Sequence, residues 1–111
     1  MGATAYDDDG VFRALADPTR RALLDALVEL DGQSVSALAA RFPDVTRFAV
    51  MKHLGVLEAA NLVISHKAGR TRLLHLNPVP IHQIAGRWLD KYAVGVTREL
   101  LELKHTLESG D

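Results

Sequence analysis

Apolar residues recur at intervals of three and four along most of this chain, and polar breaks cut the pattern into segments. VFRALAD predicts a short helix with Val11, Phe12 and Leu15 inward. ADPTRRALLDALVEL carries a marked helix start: Asp17 can cap free backbone N–H groups, and Pro18 fits the first helical position. Leu23, Leu24, Leu27 and Leu30 continue its apolar stripe, and Asp31-Gly32 ends it. SVSALAARF follows as a third, short helix with Ser34 as cap and Val35, Leu38 and Phe42 buried. After the turn PDV, Thr46 caps a fourth helix, about 46–60, whose Val50, Leu54 and Leu57 define one buried face. Asn61 stands where that helix should stop, and Asn tolerates the left-handed conformation often needed there.

The period then changes. LVISHKAGRTRLLHL supplies two β-prone runs joined around KAGR, with Gly69 able to take positive φ, which predicts a hairpin over about 63–76. NPVP breaks the chain, since Pro78 and Pro80 are barred from a helix interior. A long helix is expected from Ile81 to about Glu108. Met1 to Gly10 reads as a disordered tail, because Asp7, Asp8 and Asp9 repel one another and offer nothing to bury. That leaves 11–111 as one domain. Its expected class is mainly α with a small β-hairpin: a winged helix-turn-helix followed by a long C-terminal helix.

Composition adds bounds. At 111 residues, 48% hydrophobic and 24% charged, the chain suits one ordinary globular domain with a modest core. Cysteine is absent, which excludes disulfides and thiolate metal sites. No apolar run approaches the ~20 residues of a membrane span. MGATAYDDDG lacks the basic-then-apolar order of a secretory signal, so a cytoplasmic protein without membrane contact is expected.

Charge changes the picture more. Between Thr46 and His75 lie five cations (Arg47, Lys52, Lys67, Arg70, Arg72) and one anion, Glu58. That segment carries +4 in a chain of formal charge −1, which leaves −5 for the remainder. Cations near a helix start do not suit the positive end of its dipole, so this surface anticipates an external anion. A basic segment on an otherwise acidic domain is the footprint of a polyanion, although a solvated charged face is the plainer alternative.

A duplex fits the arrangement. The major groove admits one α-helix, whose N-terminal residues reach base edges. Thr46, Arg47, Phe48, Met51, Lys52 and His53 are the candidate contacts. Arg47 suits a bidentate bond to guanine, Met51 a thymine methyl or ordinary packing, and Lys52 a phosphate. His53 reads either as a base contact or, preferably, as a half-buried helix residue. Lys67, Arg70 and Arg72 on the hairpin suit phosphates beside a minor groove or insertion into a narrow one.

The last helix meets a different need. Ile81, Ile84, Trp88, Tyr92, Val96, Leu100, Leu103 and Leu107 follow one another at three or four residues. About 27 residues at ~1.5 Å each give a stripe of ~40 Å, longer than a small domain is wide. A second copy of the chain is the expected cover, with Phe12 and Leu15 as neighbours, although Trp88 and Tyr92 also suit an intrachain core. Two copies related by a two-fold, with reading helices ~34 Å apart, would read a palindrome.

With those residues in place, the chain resembles the ArsR/SmtB-type winged-helix transcriptional regulators from about Val11 onward. The likeness rests on ALADPTRRALLDALVE, VSALAARF, AVMKHLGVLEAANLV and GRTRLLHLNP, with LADPTRR and KHLGVLEAANLV the most specific in combination. It implies a homodimeric repressor that leaves double-stranded DNA when an effector binds. This chain departs from the family where a Gln is usual and Arg47 stands, where a Ser is usual and Met51 stands, and in the longer turn FPDV. Its operator therefore cannot be carried over.

The resemblance also brings metal-sensing branches, whose ligands are missing. SVSALAA offers only Ser34 and Ser36 where those branches use Cys. His105 and Glu108 match half of the other motif, but Tyr92 and Val94 occupy its upstream places, and His82 and Asp90 do not replace them. No metal or cofactor is expected, and the effector is unidentified. Two alternatives stay open: a winged-helix protein-interaction module, and a divergent metal-sensing repressor using His ligands. Nothing in the sequence resembles a catalytic constellation, so an enzyme is not expected.

Overall fold

The computed structural model describes residues 7–88 and 101–107. The chain divides into two compact units, Met1–Ile81 and His82–Asp111. Chain order in the first unit is α1 (Asp8–Leu15), α2 (Pro18–Glu29), β1 (Gln33–Ser34), α3 (Val35–Ala40), α4 (Arg47–Ala59), β2 (Val63–Ala68) and β3 (Thr71–Leu76). Helix α5 (Val79–Trp88) begins in the first unit and ends in the second, and 101–107 are also helical.

The four helices α1 to α4 each start on a side-chain oxygen that satisfies an orphan N–H. Asp17 accepts from Arg20 N (3.0 Å), Ser34 from Ala37 N (3.1 Å) and Thr46 from Ala49 N (3.1 Å). Helix α1 begins earlier than the apolar pattern indicates. Asp7 caps it, accepting from Asp9 N at 3.1 Å, and Asp8 and Asp9 occupy its first turn. Acids there face the positive end of the helix dipole, so residues 7–10 of the expected tail are ordered by the charge that seemed to oppose order. Residues 1–6 lie outside the described part.

The core is one cluster. Val11 and Ala14 of α1, Leu23, Leu24 and Leu27 of α2, and Leu38 of α3 are buried together with Val50, Leu54 and Leu57 of α4 and Val63 and Leu74 of the sheet. Helix α4 packs against α2, α3 and β2. Leu30, expected on the stripe of α2, is instead 62% exposed. The helix stops at Glu29 and Leu30 is extended (φ −149°), which turns its side chain off the buried face. Phe12 likewise is exposed, while Leu15 and Phe42 are half-buried.

Strand β1 is absent from the sequence reading, and it makes the hairpin the outer part of a three-stranded antiparallel sheet, order β1-β3-β2. Gln33, its buried first residue, donates Nε2 to Ala26 O (3.1 Å) and Leu30 O (2.7 Å), closing the end of α2. Val63 pairs with Leu76 and Ala68 with Thr71, leaving Gly69-Arg70 as a two-residue loop. Gly69 takes φ +65° at its first position, as such a tight hairpin needs. Asn61 takes φ +63° after α4, where it was expected to end the helix. Helix α5 starts two residues before the expected Ile81. Pro80 sits in its first turn, where a missing N–H costs nothing, and Asn77 Oδ1 accepts from Val79 N at 3.3 Å. The middle of the expected long helix, residues 89–100, lies outside the described part. Among the described residues no helix is long and apolar enough to cross a membrane.

Candidate nucleic-acid interface

Helices α3 and α4 pack together, with the turn 41–46 between them, and the hairpin stands beside α4. Burying Val50, Leu54 and Leu57 fixes the outward face of α4. At 100° per residue, Phe48, Lys52 and Gly55 lie opposite that buried face, while Arg47 and Met51 flank it. Phe48 is 73% exposed and Met51 53%. Thr46 and Lys52 are exposed too.

Arg47 does not project freely. Its Nη1 donates to Ser36 Oγ at 2.8 Å, which leans the guanidinium toward α3. There it borders a cavity of about 240 Å³ whose wall also includes Arg70, Thr71 and Arg72 of the hairpin. Among the described residues none of these three arginines forms a salt bridge.

The alternation of the strands puts Ser65, Lys67, Arg72 and Leu74 on one face of the hairpin, and the burial of Leu74 marks it as the face toward the core. A hydrogen-bonded chain joins this face to α4. Arg72 Nη1 donates to Ser65 Oγ (2.6 Å), and that hydroxyl donates to Glu58 Oε1 (2.9 Å). Glu58, the lone anion of the basic segment, thus braces the hairpin against α4. Sequence reasoning missed Ser36, Ser65 and Glu58. The only signal for Glu58 was its isolation among cations.

His53 belongs to another cluster. It is half-buried, with Nδ1 3.3 Å from Arg20 Nη1 and 3.9 Å from Asp17 Oδ2. Arg20 can only donate, so Nδ1 accepts and the ring proton sits on Nε2. The same guanidinium donates to Ala14 O (2.7 Å) and Arg13 O (3.0 Å), closing α1. The Arg20 backbone N–H holds the Asp17 carboxyl below its ordinary pKa against the opposing effect of desolvation, with smaller help from the charge of Arg20. His53 therefore ties α4 to α1 and α2, away from Phe48 and Lys52.

On the opposite face of the hairpin His66 stacks on His75 with centroids 4.8 Å apart, and His75 Nδ1 lies 3.0 Å from Asp31 Oδ2. Among the described residues no group of three or more His, Asp or Glu could hold a metal ion.

The expected self-association residues of the first unit include Phe12, Leu15 and Ile81. Phe12 is exposed at 46%; Leu15, Leu24, Val28, Leu76 and Ile81 line a cavity of about 290 Å³. Within the second unit Ile84 is half-buried, and Leu103 and Leu107 are exposed. Trp88 ends α5. Tyr92, Val96 and Leu100 lie outside the described residues.

A capped helix presented beside a basic hairpin, on an α2–α3–α4 scaffold, defines a winged helix-turn-helix protein of the DNA-binding class. Comparison with known proteins narrows this. Residues 15–66 match the family described as helix-turn-helix domain. The chain is 38% identical over 87 residues to YuzN of Bacillus subtilis, an uncharacterised HTH-type transcriptional regulator, covering 74% of this chain and 95% of that protein. It is 32% identical over 69 residues to the transcriptional repressor SdpR of the same organism, covering 62% and 74% respectively. Among solved structures, an ArsR-like transcriptional regulator from Rhodococcus sp. RHA1 superposes with a TM-score of 0.68 at 37% identity, covering 92% of this chain and 93% of the other. The chain belongs to the ArsR family of winged helix-turn-helix transcriptional regulators and is a DNA-binding regulator of transcription.

Proposed function

We propose that this protein acts in the cytoplasm as a homodimeric repressor, each copy setting α4 into the major groove of one half of a palindromic operator. The carrying observation is the exposed set Thr46, Arg47, Phe48, Met51 and Lys52 at the start of α4, beside Arg70 and Arg72 of the braced hairpin, which form no salt bridge among the described residues. The contacts are Thr46, Arg47, Phe48, Met51 and Lys52 in and beside the groove, with Lys67, Arg70 and Arg72 on flanking phosphates. His53 supports the helix from behind. The name and 32% identity of SdpR support repression. The protein acts by occupying DNA rather than by catalysis, and an effector would act by lowering that occupancy.

Pairing of two copies rests on the apolar positions Phe12, Leu15, Ile81, Ile84, Leu103 and Leu107, continued by Trp88, Tyr92, Val96 and Leu100 of the same stripe. Gel-shift titration against the DNA upstream of the protein's own coding region tests the proposal. Six phosphate contacts per dimer predict a loss on the order of 10³ in affinity between about 50 and 200 mM salt. A salt-insensitive complex, or none at low salt, would point to a protein partner instead.

A further inference from the structure

The site separates two chemistries that a recognition helix often combines in one residue. Arg47, Arg70 and Arg72 surround one cavity, and the polar groups between them are the hydroxyls of Ser34, Ser36 and Thr71. Three guanidinium groups gathered without a carboxylate among them repel one another until an anion enters. Arg47 and Arg72 are each oriented by a neutral hydroxyl, Ser36 and Ser65, so their charge stays available. A tetrahedral oxyanion with several acceptor oxygens is the group that such converging donors fit.

The outward face of α4 presents an apolar ring and bare backbone beside the single cation Lys52. Phe48 leaves most of its ring in water, and nothing lies within 4 Å of where a side chain at Gly55 would begin. The backbone is therefore bare one turn past Lys52 and permits close approach. In the major groove the apolar feature is the thymine methyl group.

We infer that the three-arginine cavity seats one backbone phosphodiester and that Phe48, not Arg47, reads the groove by packing on thymine methyls. This rests on the DNA-binding reading above and changes the role expected of Arg47 from base reader to positioning contact. The phosphate seat joins α3, α4 and the hairpin, so one anion fixes the register in which Phe48 meets the bases.

Two forms of the upstream duplex test it, one with thymine and one with uracil at every thymine position, which removes the methyl groups and keeps all base pairing. Wild-type protein should bind the uracil form about fourfold more weakly for each contacted methyl, on the order of tenfold over two half-sites. Phe48→Ala should bind both forms alike. Arg47→Ala should weaken both forms and an unrelated duplex by one common factor, and lower the salt slope by about one per copy. Both side chains are exposed, and circular dichroism checks that the variants fold. Wild-type indifference to the methyl groups, or methyl sensitivity that survives Phe48→Ala, overturns the assignment of Phe48. Arg47→Ala that relaxes preference at one base pair with the salt slope intact overturns the seat. So does inorganic phosphate that displaces the duplex at constant ionic strength through Arg47, since the cavity would then serve a free anion. Failure to bind any duplex at low salt removes the DNA-binding reading itself.

Discussion

Asp31 joins two elements with one carboxylate, Oδ1 accepting from Leu76 N at 2.8 Å and Oδ2 lying 3.0 Å from His75 Nδ1. Partial burial pushes its pKa up, but the Leu76 N–H and His75 more than offset this and hold it below the ordinary value. A carboxylate depressed on folding stabilises the native state above its unfolded pKa, and that contribution is lost as pH falls through the folded one. Asp31→Ala should therefore cost about 1 kcal/mol at neutral pH, a figure kept small by solvent exposure. The difference from wild type should shrink below about pH 4 in urea titrations; a constant difference would mean the charge is irrelevant. His53 permits a sharper test. Because its ring accepts from Arg20, His53→Ala should lose about 1 kcal/mol of stability while preserving base preference. A changed preference at unchanged stability would put the ring in the groove instead.

Among the elements, those whose signals are local were legible from sequence. Asp17, Ser34 and Thr46 announced helix starts, Asn61 and Gly69 announced turns, and Val50, Leu54 and Leu57 fixed the buried side of α4. Features that depend on distant partners were not. Strand β1 has two residues and no period of its own, existing because Gln33 and Ser34 pair with Leu74 and Leu73. The direction of Arg47 is set by Ser36, eleven positions earlier and on another helix. The early start of α1 is not legible in the apolar pattern, because Asp7, Asp8 and Asp9 repel one another as a run yet complement the dipole of the helix they begin. The hairpin brace gives a prediction at this scale. Ser65→Ala severs Arg72 from Glu58 and should loosen the hairpin on α4. Affinity for all duplexes should fall a few-fold, with a loss of stability of only about 1 kcal/mol, the worth of one part-buried hydrogen bond. Equal affinity would show that the hairpin needs no brace.

For the molecule as a whole, the near-neutral net charge conceals a division of labour, with +4 gathered between Thr46 and His75 and −5 carried by the rest of the chain. Such a basic segment favours approach to DNA through α4 and the hairpin. Apolar side chains of Leu101, Leu103 and Leu107 stay exposed in the second unit, a surface that self-association would cover. Leu103→Asp should weaken that association, seen as a shift toward single copies in sedimentation, and should reduce operator binding more than binding to short non-specific duplexes.

Hydroxyl-radical footprinting of the upstream DNA examines the paired-helix claim most directly. Two copies reading a palindrome predict two protected patches on one face of the duplex, centred about 10 base pairs or a multiple of that apart. A single short patch at saturating protein, or protection without that spacing, would contradict it.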